Sequence, residues 1–154
     1  SAGLVLCLSP YDEMLAIDPN GTGDVTETHV RWSTNEGLPD ITSPLADGQR
    51  VYMMQTYGTL TCLDIDSGES LWQHDMGTSF QASPVLAGDK IYFVGAEGTS
   101  FVIEAGNEYK QVSKCQLEEG AYASPAFVDG KIIIACIRHI NGRIKSKDYR
   151  IFNR

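Results

Sequence analysis

Three apolar runs stand at nearly equal spacing along the chain, each entered through a turn pair. Val51-Tyr52-Met53-Met54 follows Asp47-Gly48, Ile91-Tyr92-Phe93-Val94 follows Gly88-Asp89, and Ile132-Ile133-Ile134-Ala135 follows Asp129-Gly130. Ahead of each turn lies a related phrase: Thr42-Ser43-Pro44-Leu45, Ala82-Ser83-Pro84-Val85 and Ala123-Ser124-Pro125-Ala126. The three prolines are 40 and then 41 residues apart. Residues 59–65 alternate Leu60, Cys62 and Asp64 against Thr61, Leu63 and Ile65, the period of a pleated strand. Asp-Gly between such runs is a strong hairpin signal. The pattern therefore predicts strands at about 41–46, 50–56, 59–65 and 70–75, and again at 81–86, 90–94, 99–104 and 109–116. A third unit begins at 122–128 and 131–137, then loses the pattern, with 149–152 as a late third strand. Before the first full unit, residues 3–8, 14–18 and 29–33 fit a second, third and fourth strand.

A repeat of about 40 residues built from short strands marks a β-propeller blade. The expected fold is all-β, with blades of four antiparallel strands at about residues 1–37, 38–77, 78–118 and 119–154 of a single partial propeller domain. That makes about 3.5–4 blades, part of a larger ring or of one completed by a second copy. Repeats bury their faces against neighbours, and an open ring exposes strand edges, so self-association is expected.

Composition changes this picture little. At 154 residues and 42% hydrophobic content the chain can bury a core. No apolar stretch approaches the length of a membrane helix, and no signal peptide precedes the first apolar run. Residues 1–137 carry six basic and nineteen acidic side chains, whereas 138–154 carry six basic and one acidic. The acidic bulk argues against nucleic-acid binding. The basic segment (Arg138, Arg143, Lys145, Lys147, Arg150, Arg154) reads as a solvated strand and tail. Cys7, Cys62, Cys115 and Cys136 form no CxxC pair, which argues against a zinc or redox site. Three of them lie within apolar strand runs, where cysteine serves as a small buried side chain.

Little in the chain points to catalysis. Neither G-x-S-x-G nor GxGxxG occurs, and His29, His74 and His139 have no metal-binding spacing. Asp64, Asp66 and Glu69 cluster where a turn explains them. The loop Asp18-Pro19-Asn20-Gly21-Thr22-Gly23-Asp24 places oxygen side chains at alternate positions, as calcium loops do, but His29 stands where a bidentate Glu is needed. A long Asn-Gly hairpin turn accounts for it better.

At residues 60–72 and 82–92 a family resemblance emerges. Leu-Thr-Cys-Leu-Asp-Ile-Asp-Ser-Gly-Glu-Ser-Leu-Trp and Ala-Ser-Pro-Val-Leu-Ala-Gly-Asp-Lys-Ile-Tyr resemble the PQQ-like repeat β-propellers, also called quinoprotein-type or tryptophan-docking propellers. Their core phrase is matched by Asp64, Gly68 and Trp72 and, with an inserted turn, by Asp18 and Trp32. In the next unit Glu104 and Gly106 stand in, and Val112 takes the tryptophan's place. The resemblance implies that Trp32 and Trp72 dock between neighbouring blades and that the contact at Val112 is looser. Members that bind pyrroloquinoline quinone resemble eight-bladed dehydrogenases with calcium, a catalytic carboxylate and adjacent cysteines. This chain has no adjacent cysteines, so neither the quinone nor calcium is expected as its cofactor.

Propeller geometry places the loops between second and third strands on one face with those joining successive blades. That face is the candidate binding surface, carrying Asp40, Tyr57, Phe80, Gln81, Glu97 and Tyr122. Aromatics mixed with polar groups suit recognition. The reading is a non-catalytic extracytoplasmic scaffold for a protein or a small ligand such as a glycan. The alternative is a fragment of a quinoprotein dehydrogenase with its active site upstream.

Overall fold

The computed structural model describes residues 3–140 and 143–153, with side chains to Cys136. The chain folds into four antiparallel sheets and no described residue is helical. Sheet 1 holds β1 (Val5–Leu8), β2 (Met14–Ile17) and β3 (Val30–Thr34), in that spatial order. Sheet 2 runs β4 (Leu45–Ala46), β5 (Arg50–Met54), β6 (Thr59–Asp64) and β7 (Ser70–Asp75). Sheet 3 repeats this order with β8 (Val85–Ala87), β9 (Lys90–Val94), β10 (Thr99–Glu104) and β11 (Gln111–Gln116). In sheet 4, β12 (Gly120–Ala121) and β13 (Ala126–Val128) both pair with β14 (Lys131–Ile140), whose other side pairs with β15 (Arg143–Asn153).

The first strand of each full sheet is shorter than its apolar pattern suggests, and proline explains the late start. Pro44 and Pro84 have no N–H to give a ladder. The residues ahead of Pro44 bond elsewhere: Thr42 Oγ1 donates to Met54 O at 2.6 Å, and Ser43 N donates to Ser83 Oγ, one repeat away, at 2.9 Å. Pairing resumes at Leu45↔Tyr52 and Val85↔Tyr92. The loss of pattern in the last unit has the opposite cause. After β14 starts, no turn residue interrupts the chain until Asn141-Gly142. The strand therefore runs ten residues and pairs with an eleven-residue β15, instead of a short strand at 149–152.

Alternation along the inner strands feeds two neighbours at once. In β5, Val51 and Met53 face sheet 1, packing with Met14, Ala16, Trp32, Leu63 and Ile65. Tyr52 and Met54 face sheet 3, packing with Leu60, Cys62, Phe80, Ile91, Phe93, Phe101 and Ile103. A strand buried on both faces can thus have every residue apolar and still obey the two-residue period.

The indoles tie consecutive sheets together. Trp32 on β3 donates its Nε1–H to Ile65 O beyond β6, at 2.8 Å. Trp72 on β7 donates to Gly106 O beyond β10, at 3.0 Å. Trp32 lies flat on Gly68, where a Cβ would stand 2.6 Å from the ring and where φ is +73°. Glycine is required there on both counts. The third tryptophan position is Ser113, not Val112. Trp32 pairs with Ala16, Trp72 with Cys62 and Ser113 with Val102, each at the same place in its sheet. The turn Gly106–Lys110 is one residue longer than its counterpart in sheet 2, so counting forty from Trp72 lands one residue short. Val112 lies on the open strand β11, all six of whose residues are exposed.

Candidate functional site

The turns between second and third strands are built from backbone bonds that also hold the incoming connection. In the turn after β5, Gly58 N donates to Gln55 O at 2.9 Å. The chain leaving β7 then donates from Met76 N to Gly58 O and from Phe80 N to Thr56 O, at 2.9 and 2.8 Å. A side chain at Gly58 would meet Thr78 O at 2.3 Å, so the two segments touch backbone to backbone. One sheet on, Leu117 N likewise donates to Gly98 O, and the turn also donates from Ala96 N to Ser79 O on the connection entering its own sheet.

On this frame Asp40 is fixed by Thr56, whose Oγ1–H and N–H both donate to Asp40 Oδ1 at 2.5 and 3.1 Å. The Thr56 hydroxyl, against the cost of burial, holds the Asp40 carboxyl below its ordinary value. Asp40 and Tyr57 line one concavity of about 270 Å³ together with Tyr11, Asn35, Gly37, Leu38 and Gln55. Tyr11 and Tyr57 stand out from it at 88% and 87% exposure. Tyr11 also has a φ of +67°, a conformation uncommon for an aromatic residue.

The other expected face residues do not join this concavity. Gln81, Glu97 and Tyr122 are exposed on the connections and turns of later sheets, with Tyr122 at 42%. Phe80 does not reach the surface at all. It is fully buried, bridges to Gly95 and packs edge-on to Phe93 at 6.2 Å. The connection must bond the turn at Thr56 before reaching Pro84, and that contact swings Phe80 inward. Tyr11 is the residue that sequence reasoning passed over. Its signal was position, since Pro10-Tyr11 occupies the same inter-strand turn as Tyr57.

The acidic loops bind themselves. Asp18 accepts from Asn20 N and Nδ2 at 3.0 and 2.7 Å and pairs with Arg31 at 2.6 Å. These bonds, the Asn20 amide first, lower its pKa to about 2. Asp24 accepts from Thr26 N, and Asp64 Oδ1 accepts from Asp66 N, Ser67 N and Ser67 Oγ. Among the described residues no group of three or more His, Cys, Asp or Glu could hold a metal ion. Nor do they form a helix long and apolar enough to cross a membrane.

Stacked antiparallel sheets of three or four strands, the first two each latched by an indole to a turn of the next, define a PQQ-like repeat β-propeller. The family model described as outer membrane protein assembly factor BamB matches residues 1–143, and the chain belongs to that family. A BamB from Alkalilimnicola ehrlichii is 33% identical over 72 residues, covering 44% of this chain and 19% of that protein. Among solved structures, BamB from Moraxella catarrhalis superposes with a TM-score of 0.71 at 20% identity, covering 88% of this chain and 40% of that one. The quinohemoprotein alcohol dehydrogenase of Comamonas testosteroni superposes at 0.64 with 14% identity, covering 88% and 28%. A corresponding dehydrogenase from Pseudomonas putida gives 0.65 at 12% identity, covering 88% and 27%. At such identities the structural likenesses establish the fold. The chain spans less than half the length of each of these relatives.

Proposed function

We propose that this chain is a non-catalytic scaffold that acts outside the cytoplasm and recognises a partner protein through the face carrying Asp40 and Tyr57. The membership in a family described as an outer membrane protein assembly factor supports a protein partner in the cell envelope. The observation that carries the site is the pair Tyr11 and Tyr57, held almost fully in solvent on either side of a concavity with a fixed carboxylate. Exposed aromatics give large contact area with few rotatable bonds, which is what an interface anchor needs. Gln81, Glu97 and Tyr122 extend the same surface toward the later sheets. A glycan stacking on the tyrosines would use the same geometry.

The test is a photoreactive residue placed at position 57 and, separately, at Leu71, an exposed position on strand β7 of the same sheet. Cross-linking to envelope proteins from position 57 alone supports the reading, and equal yields from both positions refute it. The alternative, a piece of a quinoprotein dehydrogenase, draws on the two alcohol dehydrogenases of similar fold. It requires alcohol-dependent dye reduction once pyrroloquinoline quinone and calcium are added. Ring completion by a second copy belongs to the same proposal: a dimer mass by light scattering supports it, and a monomer rejects it.

A further inference from the structure

The interface between sheets 3 and 4 contains a cavity of about 230 Å³, whereas Tyr52, Met54, Leu60, Phe80 and Phe93 are buried together at the corresponding place between sheets 2 and 3. Sequence explains it position by position. Where the tighter interface has Leu60, the looser one has Ser100; Met54 becomes Val94, Phe80 becomes Ala121, Phe93 becomes Ile134, and Trp72 becomes Ser113. Each exchange removes bulk at an equivalent place. The cavity is walled by Tyr92, Val102, Leu117, Ile132 and Ile134, with Ser100 and Ser113 among its lining. Ser100 Oγ is buried and makes no hydrogen bond among the described residues. An unpaired buried hydroxyl is costly, and most of the described side chains around it are apolar.

We propose that this cavity is a binding site for a small planar aromatic molecule of the indole class, one fused ring system with a single N–H donor. Three observations choose that occupant. The equivalent place in sheet 2 is filled by an indole, that of Trp72, edge-on to Tyr109 at 5.7 Å and tilted against Tyr52 at 6.0 Å. Tyr92 keeps the aromatic wall that Tyr52 provides there. Ser100 Oγ offers a buried acceptor with no partner among the described residues, to which a ring N–H can donate. A free molecule is favoured over a partner's tryptophan because β11 already occupies the strand position from which a polypeptide would deliver the side chain. The site is separate from the tyrosine-lined concavity and does not depend on it.

The experiment is an amide NMR titration of the isotope-labelled chain with indole. Saturable shifts are expected at Ser100, Val102, Ser113 and Ile132–Ile134. Blocking the cavity with Ser113→Trp, or with Ser100→Leu if that variant does not fold, should weaken binding at least tenfold while the melting temperature stays level or rises. The probe 1-methylindole, which lacks the N–H, should bind about tenfold more weakly, and Ser100→Ala should abolish that difference. Absence of saturation, shifts confined to other sheets, undiminished binding by both blocked variants, or equal binding of 1-methylindole would each overturn the proposal. Tighter binding of N-acetyltryptophanamide than of indole would overturn the choice of a free ligand in favour of a partner side chain.

Discussion

The two inter-sheet contacts on either side of sheet 3 share a plan and differ in fill. On the sheet 2 side, Trp72, Tyr52, Phe80, Phe93 and Phe101 interlock. A polar clasp closes the rim: Tyr52 Oη donates to Asp47 and accepts from Arg50 Nε and Gly106 N, while an Arg50 Nη donates to Asn107 at 2.6 Å. On the sheet 4 side the cluster formed by the described residues is smaller, comprising Ala82, Val94, Leu117, Ala121, Ile134 and Cys136. Its rim pair, Asp89 and Lys90, lies in solvent at 80% and 37% exposure. The register is the same in both, so backbone pairing does not set how firmly neighbours adhere. Side-chain volume at a handful of equivalent positions does, as expected where apolar burial and close packing dominate.

The comparison breaks most sharply at the indole. Trp72→Ala or Phe80→Ala should destabilise the chain by about 3–5 kcal/mol, whereas Ser113→Ala should change it by no more than about 0.5 kcal/mol. Urea unfolding followed by tyrosine and tryptophan fluorescence measures all three, and similar costs for Trp72 and Ser113 would erase the distinction. Filling the loose contact should work in reverse. Ser100→Leu replaces an unpaired hydroxyl with apolar bulk in an open cavity, for a gain of about 1–2 kcal/mol; a loss would mean that the space is not there to fill.

Acid sharpens the contrast further. Burial of Asp47 opposes its ionisation, but the N–H groups of Gln49 and Arg50 and the Arg50 guanidinium outweigh it and hold the folded pKa below 3.8. A depressed carboxyl stabilises the fold above its unfolded pKa, and that contribution disappears as pH falls through the folded value. Stability measured at pH 7, 4 and 2.5 should therefore decline toward the lowest pH, and Asp47→Asn should flatten part of the decline. The exposed Asp89–Lys90 pair should add almost nothing to that profile. The smallest effect is chemical. Burial pushes the Cys62 thiol up to about 12, while Cys115 is exposed beside the cavity. Cys7, expected to be buried from its apolar run, is exposed on β1, so iodoacetamide should alkylate Cys7 and Cys115 in the folded chain and spare Cys62 and Cys136, as mass spectrometry would show.

Much of the architecture was readable because its signals are local. Asp47-Gly48 and Asp129-Gly130 announce hairpins whatever surrounds them, and Gly48 and Gly130 do adopt positive φ. Prolines in register reveal the repeat, and indoles 40 apart invite comparison of the sheets that carry them. What stayed hidden depends on contacts across the repeat. Phe80 reads as a loop aromatic until the bond from its N–H to Thr56 O draws it inward. Ser113 is invisible as a tryptophan equivalent because one added turn residue shifts the count. The concavity between Tyr11 and Tyr57 joins two turns 46 residues apart, a proximity set by how the sheets stack and by no motif in either turn.

The indole latches all point one way along the chain. Trp32 waits for the carbonyl of Ile65 and Trp72 for that of Gly106, so each donor is synthesised some thirty-odd residues before its acceptor. A nascent chain leaving the ribosome would therefore carry its newest tryptophan unclasped until most of another repeat had emerged. Closure would proceed from the amino-terminal end like a zip fastener, each tooth engaged by the one made after it.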